Sequence, residues 1–236
     1  MYDGYVELRE SSGGTRFYAF IDGTSESDEP PISIKEILEL VGQYVVIRDC
    51  LALSFAINYD RENGNPDNPQ TVLGKLRSQA KTYGKPAFPA VIAAADELSK
   101  HCVDALRTLS CYSSASCMVA MPPSDPAKPF DLPRYLVDKI SVELDLGNFS
   151  EYVRTPKARP SVRETPCHEK LSLIEGTIEV APDVFKEKIV LLIDDLYQSG
   201  VTMNYVAMLL LEAGAKKVFG LACEKTCSND DYVSRR

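Results

Sequence analysis

Residues Lys188 to Met203 read KIVLLIDDLYQSGVTM, and the reading of this stretch decides the fold class. Ile189 to Ile193 is an unbroken apolar run of strand length, which predicts a central parallel strand covered on both faces. Asp194 and Asp195 stand at its carboxyl end. A short turn carrying Ser199, Gly200 and Thr202 then opens an amphipathic helix over Thr202 to Ala213, with Gly214 as its C′ residue and Lys217 to Cys223 as the next strand. Strand, helix and strand make a βαβ unit, whose right-handed crossover lays the last strand beside the Asp194 strand. The class is α/β, with a mostly parallel central sheet flanked by helices. In such sheets a ligand is met just past the carboxyl ends of the strands.

The residue types at that place predict a ligand with two different ends. Two carboxylates suit vicinal hydroxyls or a hydrated divalent cation. Two hydroxyl donors, a glycine that lets the backbone come close and the unpaired amides of a first helical turn suit a phosphate about one turn away. A sugar phosphate has that shape.

Other families also end an apolar strand in two acids. A receiver domain puts the pair after its first strand and needs roughly a hundred further residues, more chain than follows Asp195. A Walker B strand needs a GxxxxGK[ST] loop, and Gly74-Lys75 is followed by leucine and lacks the upstream glycine. There remains the reading in which the acids only cap a helix, or mark a degenerate site.

The 236 residues are 44% hydrophobic and 25% charged, enough for one large α/β domain with an accessory element. No apolar run reaches membrane-span length, and the start, MYDGYVELRE, lacks signal-peptide character, so a cytoplasmic protein with no membrane partner is expected. Seven cysteines without CxxC spacing are expected as reduced thiols. Cys167-His168 and His101-Cys102 lack the second half a zinc site needs. The net charge of −8 argues against broad nucleic-acid binding, which needs a field of Lys and Arg. A local basic stretch, Arg154, Lys157, Arg159, Arg163 and Lys170, reads either as a solvated loop or as an anion-binding one.

Outward from the deciding block, Tyr5 to Arg9 and Arg16 to Ile21 read as a hairpin around Ser11-Ser12-Gly13-Gly14, and Asp22 to Pro31 as a linker. Ser33 and Glu36 form a capping-box pattern before a helical stretch predicted through about Asn58, bent near Gly42. Further helices are predicted over Thr71 to Thr82, Phe88 to Leu109 and Pro133 to Leu146. Cys117 to Met121 reads as a strand ending in Pro122-Pro123-Ser124, and Thr177 to Val180 as a weak one. Glu151 to Leu173 has no periodicity and reads as a loop.

The block at Ile189 to Thr202, with four apolar residues, two acids and a turn ending in hydroxyl-Gly-x-Thr, resembles the phosphoribosyl pyrophosphate (PRPP) signature of the type I phosphoribosyltransferases. Within that family the order Arg154-Thr155, basic stretch, His168-Glu169-Lys170-Leu171, weak strand and aspartate pair is similar to the ComF-like branch, as is Tyr197. The resemblance would make Ala56-Ile57-Asn58-Tyr59 the counterpart of that branch's lysine-tyrosine motif. It implies Asp194 and Asp195 on the ribose hydroxyls as the catalytic pair, and Leu196, Tyr197, Gln198, Ser199, Gly200, Val201 and Thr202 around the 5′-phosphate. It further implies a pyrophosphate loop at Pro122, Pro123 and Ser124, and a lid bearing Arg154, Lys157 and Arg163. His168, in that lid, is the better placed of two histidines for proton transfer.

The expected activity is transfer of the phosphoribosyl group from PRPP, with Mg²⁺, to a nitrogenous acceptor with release of pyrophosphate. The alternative is a non-catalytic PRPP or nucleotide-binding sensor or accessory subunit. Mg²⁺ would come with PRPP, with no direct protein ligand assigned, and two copies would pair as related enzymes often do. The hairpin and linker take 1–30, a helical hood 31–84 and the core 85–236. Three departures stand out: Gln198 where many relatives have a small hydroxyl residue, Pro129-Phe130-Asp131-Leu132 where ComF-like proteins have Arg-Gly-Phe-Asn-Gln, and no cysteines for their amino-terminal zinc ribbon.

Overall fold

The computed structural model describes residues 42–82, 85–160, 162 and 165–227, together with the backbone of strands 4–9 and 16–21. The chain divides into two units, Met1–Leu38 and Glu39–Arg236. In the first, β1 (Gly4–Arg9) and β2 (Arg16–Ile21) pair antiparallel with Gly4 opposite Ile21 and Arg9 opposite Arg16.

The second unit is built on a six-stranded sheet. Its strands are β3 (Val45–Ile47), β4 (Leu53–Tyr59), β5 (Cys117–Ala120), β6 (Gly147–Asn148), β9 (Ile189–Tyr197) and β10 (Lys217–Lys225), in the order β3-β4-β10-β9-β5-β6. Only β3 runs antiparallel to its neighbour; every other pairing is parallel. A separate short pair joins β7 (Val153–Arg154) to β8 (Glu179–Val180). The helices are α1 (Val72–Gln79), α2 (Pro89–Thr108), α3 (Leu132–Leu144), α4 (Cys167–Ile174) and α5 (Val201–Glu212).

The helices cover both faces. Leu73 of α1, Leu98 of α2, and Leu136 and Ile140 of α3 pack with Leu191, Ile193, Phe219 and Leu221 in one core. Ile174 of α4, and Val206 and Leu210 of α5, pack with Val190, Leu192, Val218 and Ala222 in the other. Successive strand residues face opposite sides, so β9 and β10 feed both cores alternately and read as continuous apolar runs. Each fully buried Leu or Ile contributes about 1.5–3 kcal/mol.

Two sequence expectations are corrected here. The helix predicted through Asn58 is absent over 45–59, where β3 and β4 lie instead, and the segment read as a helical hood supplies two strands of the main sheet. β4 pairs with β10, with Leu53 beside Phe219 and Tyr59 beside Lys225. A strand covered on both faces shows no polar alternation, so its apolar residues fit helical spacing as readily. The other correction is α4, inside the stretch predicted as loop. It starts directly after Pro166 and buries Lys170 and Ile174, four residues apart on one side.

Candidate active site

At the carboxyl ends of β5 and β9 lies a cavity of about 430 Å³, within the size range of small-molecule sites. The strand-acid-turn block forms one wall, and β9 runs further than expected. It continues through both aspartates to Tyr197, so the acids lie within the strand and not beyond it. Alternation along β9 therefore separates them. Asp195 continues the Leu191 and Ile193 side, toward α1, while Asp194 continues the Val190 and Leu192 side.

Their electrostatics differ accordingly. Lys81 Nζ lies 2.7 Å from Asp195 Oδ2 and Arg77 Nη1 lies 3.7 Å from the same oxygen. Arg77 gives its Nε to Glu224, a carboxylate with no exposed surface, so Asp195, Lys81, Arg77 and Glu224 form one charge network. Burial alone would push Asp195 up, but Lys81 and then Arg77 overcome it and hold its carboxyl below the usual range. Asp194 makes no salt bridge among the described residues. Burial, and then the Asp195 charge, push it well above the usual range, and Lys81 exerts only a weaker downward pull on it. Its Oδ1 accepts the Asp195 amide at 2.8 Å.

The turn after the acids is held from beneath. Gly200 has φ of +71° at the start of α5, and a Cβ there would run into the hydroxyl and ring of Tyr197. The Tyr197 hydroxyl lessens the rise that burial imposes on the Asp49 carboxyl, and Asp49 Oδ1 accepts from the Leu51 amide and the Ser54 hydroxyl at 3.1 Å each. Asn204 donates to the Gly200 carbonyl at 2.9 Å. This bracing presents the first amides of α5, which have no intrahelical acceptor, to the cavity. Leu196, Tyr197, Gln198, Ser199, Gly200 and Thr202 all line it, whereas Val201 does not.

Pro122, Pro123 and Ser124, in the loop after β5, line the same cavity. The Met121 amide bonds the Ile193 carbonyl at 2.8 Å, tying this loop to β9, and the Ser124 carbonyl accepts the Arg159 amide at 2.8 Å. Two of the residues expected on a lid lie apart from the cavity wall. Arg154 and Lys157 are exposed and off the cavity wall, with Arg154 paired to Glu179 at 3.2 Å because β7 and β8 lie side by side. Arg163 lies outside the described residues. His168 is exposed beside Glu169, also off the wall. The basic stretch reaches the cavity instead through Arg159 and Lys170, joined by Lys128 and Lys81. Arg159 Nε is buried and has no hydrogen-bond acceptor among the described residues, which suits an anion.

Asp131 also lines the cavity and escaped the sequence reading. It caps α3, accepting the Arg134 amide at 3.3 Å, and burial raises its carboxyl to about 6. The folded state thus keeps a proton that the unfolded chain releases at lower pH. Asp131 therefore favours folding below pH about 4, and this contribution is lost as pH rises to about 6. Asp131→Asn keeps a good cap and removes this part of the slope. Urea unfolding at pH 4, 5, 6 and 7 is expected to show a flatter stability profile for the variant.

No family model matches the chain, and no curated protein does. Among solved structures it is similar to adenine phosphoribosyltransferase from Thermoanaerobacter pseudethanolicus, at 17% identity and TM-score 0.40 over 65% of this chain and 99% of that one. The corresponding enzyme from Rhodothermus marinus matches at 16% identity and TM-score 0.36 over 82% and 99%. A hypoxanthine phosphoribosyltransferase from Trypanosoma cruzi matches at 11% and 0.33 over 64% and 67%. Likenesses of this size carry no function across, so the functional reading rests on the cavity itself.

Proposed function

We propose that the cavity binds PRPP, or a related ribose phosphate, with Mg²⁺, and that the protein transfers the phosphoribosyl group to a nitrogenous acceptor with release of pyrophosphate, as a ComF-like type I phosphoribosyltransferase would. One observation carries this reading. A carboxylate pair and a braced, glycine-dependent amide turn share one cavity wall, and Lys128, Arg159 and Lys170 line the same space. The turn would hold the 5′-phosphate, Asp194 would exchange hydrogen bonds with the ribose hydroxyls, and the cations would meet the leaving diphosphate.

The chemistry is a displacement at the ribose C1: the acceptor nitrogen forms a bond there as the bond to the pyrophosphate oxygen breaks. The chain's contribution is fixed charge aimed at the ribose and the leaving group. The residues fit a cation that arrives with the diphosphate. Among the described residues no group of three or more His, Cys, Asp or Glu side chains could hold a metal by itself, and of the two acids Asp195 carries the salt bridges to Lys81 and Arg77. Bound with the diphosphate, Mg²⁺ supplies neutralisation of the leaving group's charge.

A non-catalytic sensor is the second reading, favoured by Gln198 at the turn and by the engagement of Asp195 with Lys81 and Arg77. Incubating the protein with PRPP, Mg²⁺ and a panel of nitrogen bases separates the two. The enzyme reading expects pyrophosphate release that depends on one class of base. Calorimetric binding of PRPP with no release under any base would leave the sensor.

A further inference from the structure

Lys81 stands in the cavity wall directly after α1, and its ammonium sits on Asp195, the second acid of the pair expected on the ribose hydroxyls. Two cations serve that one carboxylate, and they are not equivalent. The Arg77 side chain is 8% exposed and its Nε is committed to Glu224, so it is fixed in place. The Lys81 side chain is 26% exposed, on a flexible four-carbon stem with three donors that can be re-aimed. Two cations face two carboxylates in the network, with Asp194 pushed toward its neutral form. Moving Lys81 away leaves Asp195 still faced by Arg77. Lys81 can therefore leave; Arg77 cannot.

We infer that Lys81 selects ligands carrying a second anionic group on C1: it gives up Asp195 to that group, and in doing so frees the Asp195 carboxylate for the ribose hydroxyls. This rests on the ribose-phosphate reading of the same cavity. The coupling follows from the shared oxygen. Asp195 Oδ2 is held by Lys81 at 2.7 Å, so a hydroxyl reaching that oxygen competes with the ammonium. A diphosphate offers the ammonium a better-charged partner and removes the competitor. A monophosphate whose only anion lies on the α5 turn does not, and it meets Asp195 still masked. Lys81 is thus a positioning and specificity residue, acting through Asp195 and through the ligand's far anion.

The test is calorimetry of PRPP with Mg²⁺, and separately of ribose 5-phosphate, against the wild type, Lys81→Met and Lys81→Arg. Thermal unfolding verifies that each variant is folded, and Lys81→Gln replaces Lys81→Met if the latter is not. Lys81→Met is expected to weaken PRPP at least tenfold, as loss of one charge-assisted contact implies, and to leave ribose 5-phosphate unchanged or bound several-fold tighter. Lys81→Arg is expected to restore most of the PRPP affinity. Equal losses for both ligands, or no loss for either, with the wild type binding both, would overturn the inference and spare the ribose-phosphate reading. A wild type that binds neither ligand would overturn both.

Discussion

Gly200→Ala is expected to abolish ribose-phosphate binding and to cost the fold roughly 2–6 kcal/mol. Two independent effects add at this residue. Its φ of +71° lies in the left-handed region, where a non-glycine residue costs about 1–3 kcal/mol. The added Cβ would also occupy the place of the Tyr197 hydroxyl, and overpacking of a closed site costs typically 1–3 kcal/mol. Tyr197 cannot simply step aside, because it is 5% exposed and packed within the α4 and α5 core. The backbone must move instead, and with it the amides that open α5. Chemical unfolding and calorimetry with ribose 5-phosphate measure the two consequences. Full-strength binding by the variant would show that the ligand does not use the turn.

The second large effect is expected at Arg77. Arg77→Met leaves Glu224, wholly buried, without its cation, and leaves Asp195 with Lys81 alone. Removing one partner of a buried pair typically costs 3–5 kcal/mol, because the stranded charge is more costly than the pair is favourable. The loss has a pH signature. Burial already raises Glu224, and without the Arg77 hydrogen bond it rises further, so the folded variant holds a proton that the unfolded chain releases. Stability contributed by that proton is present at low pH and lost as pH rises through the carboxylate range, so the deficit against wild type is larger at pH 8 than at pH 5. Arg77→Met with Glu224→Gln is expected to flatten this difference and to recover part of the stability. A deficit under 1 kcal/mol that is equal at both pH values would mean that Arg77 holds no ionised partner.

The parts of this fold that were legible in the sequence are those whose partners are close in the chain. The block from β9 through α5 to β10 announces itself because an apolar strand, a hydroxyl-glycine turn and an amphipathic helix follow one another without interruption. α2 and α3 were legible for the same reason, as was β5 with its proline stop. β4 was not, because its identity as a strand comes from β10, more than 150 residues away. The site shows the same division. The aspartates and the turn sit in one motif, but Lys81 and Arg77 are ordinary helix-end cations until β10 brings Glu224 beneath them. One signal was available: Glu224 follows an apolar strand run directly, and a charge in a buried strand demands a partner. The basic stretch is legible as a stretch, but which of its members line the cavity is not. Composition does not tell that Arg154 turns to Glu179 while Arg159, tied to the Ser124 carbonyl, faces the cavity.

The central claim is that this cavity seats a ribose phosphate with its phosphate on the turn that opens α5, and a crystal structure grown with saturating ribose 5-phosphate tests it most directly. The expected result is a phosphate at hydrogen-bonding distance, about 2.7–3.2 Å, from backbone amides between Ser199 and Thr202, with the ribose hydroxyls on the Asp194 side of the cavity. A phosphate seated anywhere else, or a cavity without the sugar at saturation, would contradict it.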